Sequence, residues 1–153
     1  LDFGSGYGGL YEYLLRIGHK LQYVGYDIAE LMVVKGRELH PNNPDCWFTA
    51  NIDEVPMLDY AVVSGTFNMK LDADFDAWTK IVIEALHQMD THTSKGFSFN
   101  MLTKYSDADR MRPDLYYADP LFFFDYCKRN FSKNVALLHD YKLYDFTILV
   151  RKD

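Results

Sequence analysis

The residues best suited to chemistry stand at the start of the chain, Asp2-Phe3-Gly4-Ser5-Gly6-Tyr7-Gly8-Gly9, with Asp27 further on. The run reads as the end of a buried strand, a glycine-rich turn and the opening of a helix. Glycines at this spacing let the backbone turn tightly and approach a ligand with no side chain in the way. The helix that follows aims its free N–H groups and positive dipole end at whatever binds there. With the carboxylate of Asp27 the pattern predicts a cofactor site. Gly4, Gly6 and Gly9 also satisfy G-x-G-x-x-G, the dinucleotide fingerprint, so a nicotinamide cofactor stays open on the glycines alone. Asp2, two positions before the first glycine, suits a ligand with a cationic amino group and suits a pyrophosphate poorly.

The elements that must position these residues alternate between strand and helix almost to the end. Leu1–Phe3 is the stub of a first strand, and Leu10, Tyr13, Leu14 and Ile17 carry helical spacing up to a stop at Gly18. Strands are expected over Leu21–Tyr26, Cys46–Ala50 and Leu58–Ser64, with a helix over Ala29–Leu39. The longest helix, Asp72–Met89, shows an apolar stripe of Phe75, Trp78, Ile81, Val82, Ala85, Leu86 and Met89, read as core. Gly96–Leu102 makes a fifth strand. The polar and aromatic stretch Thr103–Pro120 has the length of a functional loop. A helix over Leu121–Asn130 follows, then strands Val135–His139 and Leu143–Arg151 as an antiparallel hairpin. The order predicts an α/β fold, a Rossmann-like doubly wound and mostly parallel seven-stranded sheet with a C-terminal antiparallel hairpin.

Length and composition fit one domain over residues 1–153, able to bury roughly two-thirds of its unfolded surface. Hydrophobic content of 48% and charged content of 25% are those of an ordinary globular protein. The net charge of −6 gives no attraction to phosphate backbones, which speaks against a nucleic-acid partner. Cys46 and Cys127, far apart in apolar contexts, are expected as reduced core thiols, in keeping with a cytoplasmic location. No apolar run approaches the length of a membrane span. The five histidines lack partners at metal-ligand spacing, so no metal is expected.

At this point the chain resembles the class I S-adenosylmethionine-dependent methyltransferases. Their first motif matches Leu1-Asp2-Phe3-Gly4-Ser5-Gly6-Tyr7-Gly8, and the acidic residue closing their second strand matches Asp27. Their pattern after the third strand matches Asn51-Ile52-Asp53-Glu54-Val55-Pro56, with Asn in place of the commoner Asp. Their fourth-strand motif matches Asp59–Gly65, and the terminal hairpin completes the strand order. The resemblance covers nearly the whole chain, except for the helix and strand start that normally precede motif one, which are expected to be absent from this sequence.

The resemblance implies S-adenosyl-L-methionine as cofactor and assigns roles. Gly4, Gly6 and Gly8 pass under its methionine and ribose portions. Asp2 holds the methionine amino group, directly or through water, and Asp27 accepts from the ribose hydroxyls. Ile28 and Ile52 sandwich the adenine, Asn51 meets its exocyclic amino group, and Ser64 and Gly65 offer backbone at the methionine end. The acceptor site is expected above the ends of strands four and five, beneath Thr103–Pro120. Thr66, Asn68, Asn100 and Tyr105 are candidates there, with Asp107, Asp109, Arg110, Arg112, Tyr116, Tyr117 and Asp119 from the loop. Arg110 and Arg112 either bind an anionic group or pair with neighbouring aspartates. His139, at the hairpin turn, is the candidate general base, with Asn68 and Tyr105 as weaker catalytic candidates. Neither a D/N-P-P-Y motif nor a Pro-Cys nucleophile follows the fourth strand. The expected activity is methyl transfer to oxygen or nitrogen of a small polar molecule. A catalytically inactive methyltransferase-fold binding protein and an NAD(P)-dependent Rossmann enzyme are the alternatives.

Overall fold

The computed structural model describes residues 1–152, so the last residue of the expected 1–153 domain lies outside it. Seven strands form one sheet: β1 (Asp2–Phe3), β2 (Tyr23–Tyr26), β3 (Cys46–Thr49), β4 (Leu58–Val63), β5 (Thr93–Leu102), β6 (Asn134–Leu138) and β7 (Asp145–Arg151), in the order β3-β2-β1-β4-β5-β7-β6. The first five run parallel; β7 is antiparallel to both β5 and β6 and lies between them. The doubly wound sheet with an inserted antiparallel strand is therefore present. β1 lies inside the sheet between β2 and β4, the chain reverses its direction of winding between β1 and β4, and the crevice beyond the strand ends at that point is where such folds bind ligands.

Four helices accompany the sheet: α1 (Gly9–Arg16), α2 (Glu30–Leu39), α3 (Phe75–Thr91) and α4 (Pro120–Asn130). Their starts are written in the sequence. Asp74 caps α3 by accepting from the backbone N–H groups of Asp76 and Ala77, and Asp119 caps α4 ahead of Pro120. The crossover from β3 to β4 carries no α-helix, only a 3-10 turn at Ile52–Glu54. Alternation along the strands puts Asp2, Tyr23 and Gly25 on one face of the sheet and Phe3 and Tyr26 on the other. The second face carries the larger core, where Val82, Leu86 and Met89 of α3 meet Phe3, Ala61, Val63 and Phe99. A smaller cluster, Tyr11, Tyr23, Val33, Cys46 and Phe48, lies under α1 and α2.

Several boundaries differ from expectation. β5 begins at Thr93 instead of Gly96 because Leu58 pairs with Thr93 at the far edge of the sheet. β2 begins at Tyr23 rather than Leu21, since β3 offers partners only from Cys46 onward. β7 begins at Asp145, so His139 lies beyond the end of β6, in a link longer than expected. The α3 stripe is buried at Val82, Ala85, Leu86 and Met89, but Phe75 and Ile81 are about half exposed. The Thr103–Pro120 segment is tied down at both ends, by bridges Thr103↔Ala118 and Met69↔Leu115. No helix among the described residues is long and apolar enough to cross a membrane.

Candidate active site

The glycine turn leaves β1 and doubles back over the tip of β2, where Gly4 and Ser5 both donate to the carbonyl of Tyr26. Gly4 takes φ 80°, and a Cβ built on it would stand 2.2 Å from Thr66 Oγ1. Gly8, the residue before α1, takes φ 98°, and its Cβ would meet the Phe48 ring at 2.7 Å. Only glycine fits at either position.

Asp27 holds the turn. Its Oδ2 accepts from Gly6 N at 2.8 Å, and its Oδ1 accepts from Ala29 N at 2.9 Å. A carboxylate offers about four lone-pair sites, so each oxygen keeps capacity for a ligand hydroxyl. Ile28 beside it is 85% exposed, whereas Ile52 packs against the larger core. Asn51 Oδ1 accepts from Asp53 N at 3.1 Å and so caps the 3-10 turn. Ser64 and Gly65 are exposed where β4 ends, and Gly65 N donates to Asn100 Oδ1 at 2.8 Å.

Asp2 is placed differently from the other candidates. It is 5% exposed and turned beneath the glycine turn, where its Oδ2 accepts from the Tyr23 hydroxyl at 2.6 Å. Burial raises its carboxyl above the ordinary range, while the Tyr23 hydrogen bond opposes the rise. The same burial, together with the Asp2 charge, raises the Tyr23 phenol.

Gly4, Asp27, Ile28 and Thr66 line one cleft of about 490 Å³ with Trp78 and Ile81 of α3. The two α3 residues were expected as core. Trp78 packs against the larger core, while Ile81 is about half exposed, in a fold that lacks a β3–β4 crossover helix. Trp78 is fixed by donating its indole N–H to the Phe67 carbonyl at 2.8 Å. The three-residue spacing of Trp78 and Ile81 is the same whether a helix face is core or cleft wall, so sequence alone did not separate the two.

The acceptor candidates divide. Tyr116 is buried, with its hydroxyl on Thr79 Oγ1. Asn68 Oδ1 accepts from Leu102 N at 3.0 Å. Arg112 pairs with Asp114, and Asp119 with Lys104. Tyr117 accepts at its hydroxyl from Arg112 N, and Asp107 accepts from Tyr144. Asp109 and Arg110 make no ion pair among the described residues. Tyr105 and His139 are exposed neighbours, ring centroids 6.0 Å apart.

The comparisons with known proteins meet this geometry. The chain is 48% identical over 157 residues, 99% of its own length and 91% of the other's, to a protein of Mycobacterium tuberculosis (strain ATCC 25618 / H37Rv) named "Putative methyltransferase Rv1506c". The chain belongs to the same methyltransferase family as this relative. No family model matches it. The fold is also that of the magnesium protoporphyrin IX methyltransferase of Synechocystis PCC 6803 with bound SAM, at TM-score 0.64 and 14% identity, over 99% of this chain and 68% of that one. It is likewise similar to an S-adenosylmethionine-dependent methyltransferase from Mesorhizobium loti, at TM-score 0.63 and 14% identity, over 99% of this chain and 89% of that one. Within this methyltransferase the glycine turn, Asp27 and the end of β4 share one edge of the sheet.

Proposed function

We propose that this methyltransferase binds S-adenosyl-L-methionine in the Gly4–Asp27–Thr66 cleft and methylates oxygen or nitrogen of a small polar molecule in the cytoplasm. The observation that carries the reading is Asp27: one carboxylate closes the glycine turn and still faces the cleft with free lone pairs. A pocket with these donors and acceptors fits an adenosine carrying an amino acid. The cofactor, when bound, supplies a methyl group on a positively charged sulfur.

The residues of the chain contribute binding and orientation, which supply much of the acceleration of such a transfer. Gly4 and Gly6 let backbone pass close beneath the methionine portion. Asp27 receives the ribose hydroxyls; each charge-assisted bond of this kind is worth about 1.5–3 kcal/mol. Ile28 covers one face of the adenine, with Ile52 and Asn51 at its other side. Asp2 acts on the amino group from beneath the turn, through a water. Ser64 and Gly65 bound the methionine end, and the acceptor approaches from the side of Asn68, Tyr105 and His139. His139, exposed and free of any ion pair among the described residues, is open to act as the general base for a hydroxyl acceptor.

Calorimetric titration with S-adenosylhomocysteine, with NAD as control, tests the reading. Saturable binding of the homocysteine compound alone is expected. Binding of NAD alone turns the assignment to a dinucleotide enzyme, and S-adenosylhomocysteine binding without transfer to any acceptor turns it to a non-catalytic relative of the family.

A further inference from the structure

Asp145 opens β7 opposite Leu102 of β5, and two residues on Thr147 stands opposite Asn100. Asn100 and Asp145 therefore share the α1 side of the sheet, at the edge where the glycine turn lies. Gly65 N–H donates to Asn100 Oδ1, which turns the amide nitrogen of Asn100 away, and that nitrogen donates to Asp145 Oδ2 at 3.1 Å. One side chain thus links the end of β4 to a carboxylate on β7.

That carboxylate is half-buried, makes no ion pair among the described residues, and leaves Oδ1 without a hydrogen bond among them. Its neighbour Tyr141 is satisfied elsewhere, sharing a hydrogen bond with Thr147 Oγ1 at 2.7 Å. A neutral amide meets the hydrogen-bonding need of one oxygen and none of the charge. A half-buried carboxylate with one oxygen open and no cation paired to it attracts a positively charged group.

We infer that Asp145, held by Asn100, receives the ammonium group of the methyl acceptor, so that the acceptor is an amine. The inference rests on the methyltransferase reading of the cleft. A hydroxyl acceptor would satisfy Oδ1 but leave the charge uncompensated, and an anionic acceptor would meet repulsion. The bound ammonium first gives one proton to water; the freed nitrogen lone pair then forms the N–CH3 bond as the sulfur–methyl bond breaks, and the electron pair of that bond stays on sulfur. The product is again an ammonium ion, and the positive charge that develops on nitrogen lies beside the carboxylate.

The test compares wild-type protein with Asp145→Asn, each saturated with S-adenosylhomocysteine. The probes are benzylamine and tyramine, set against benzyl alcohol and tyrosol. Binding is followed by the NMR signals of the Asn100 side-chain amide, and methyl transfer is measured separately with S-adenosylmethionine. The Asn side chain keeps an oxygen to accept from Asn100, so the thermal midpoint and S-adenosylhomocysteine affinity stay as in the wild type. The amines are expected to shift the Asn100 signals, to bind at least tenfold more weakly to the variant, and to be methylated where the alcohols are not. Equal amine binding by the variant, alcohols binding as well as amines, or no response to either amine overturns the inference. Failure of the wild type to bind S-adenosylhomocysteine is a different result: it overturns the methyltransferase reading itself.

Discussion

Gly6 gives its backbone N–H to Asp27 Oδ2 at 2.8 Å, so the residue expected to grip the ribose also sets the shape of the turn beneath it. An amide at position 27 has one oxygen for two backbone donors, and its nitrogen would face an N–H. Asp27→Asn should therefore weaken S-adenosylhomocysteine binding by at least tenfold, which corresponds to about 1.4 kcal/mol. It should lower the thermal midpoint as well. Calorimetry and thermal unfolding check the pair; a variant with unchanged affinity removes Asp27 from the site.

Two glycines of the same turn should respond differently to alanine. At Gly6 nothing lies within 4 Å of an added Cβ, and the cost is the left-handed backbone alone, about 1–2 kcal/mol. At Gly4 the same strain adds to a collision with Thr66. Chemical denaturation should show Gly4→Ala to be the more destabilising by at least 1 kcal/mol, in line with overpacking costs of about 1–3 kcal/mol. Equal losses would mean that Thr66 swings away freely.

Burial works against the charged form of Asp2, and the Tyr23 hydrogen bond only partly offsets it. Its native carboxyl is raised above the ordinary value of 3.8, so the native state binds a proton more readily than the unfolded chain does. Stability from this group is greatest below the ordinary value and falls as pH rises through the raised native one. Asp2→Asn keeps an acceptor for Tyr23 without the charge. The variant should be the more stable at pH 7 and show less loss of stability above pH 4, while its affinity for S-adenosylhomocysteine falls. Urea titrations across pH 4–8 measure the first effect. A variant less stable at pH 7 would show that the charge is well compensated.

Cys46 and Cys127 are buried free thiols, with burial pushing them up to about 11 and about 12. Thiolate is the reactive form. A disulfide reagent at pH 8 should label neither in the native protein and both in denaturant; rapid native labelling would contradict their burial.

The glycine turn and the position of Asp27 were legible because their constraints are local. Gly4, Gly6 and Gly8 answer to backbone geometry within a few residues, and Asp27 directly follows the short strand Tyr23–Tyr26. The core stripe on α3 was legible at Val82, Leu86 and Met89 for the same reason: helical period fixes which residues face one way. Ile81 escaped because its exposure goes with the absence of a helix between β3 and β4, which is a property of a different segment. The Asp2–Tyr23 hydrogen bond was not legible because its partners stand twenty-one positions apart. Asn51 was expected as a ligand contact; the structure shows it capping the 3-10 turn, and its amide nitrogen makes no hydrogen bond among the described residues. The Asn100–Asp145 contact spans forty-five residues and exists only because β7 enters the sheet beside β5.

The two clusters of the core are unequal, and the smaller one lies under the turn that carries Gly4, Gly6 and Gly8. Tyr11, Tyr23, Val33, Cys46 and Phe48 hold α1 and α2 with far less buried surface than α3 and α4 enjoy on the opposite face. The molecule should therefore open in sub-global units, with the amides of α1, α2 and β3 exchanging with solvent well before those of β5 and β7. A ligand that bridges Asp27 to the end of β4 joins the labile half to the durable one. Hydrogen exchange slowed across α1 and α2 on ligand addition, with β5 and β7 unchanged, would be the record of that joining.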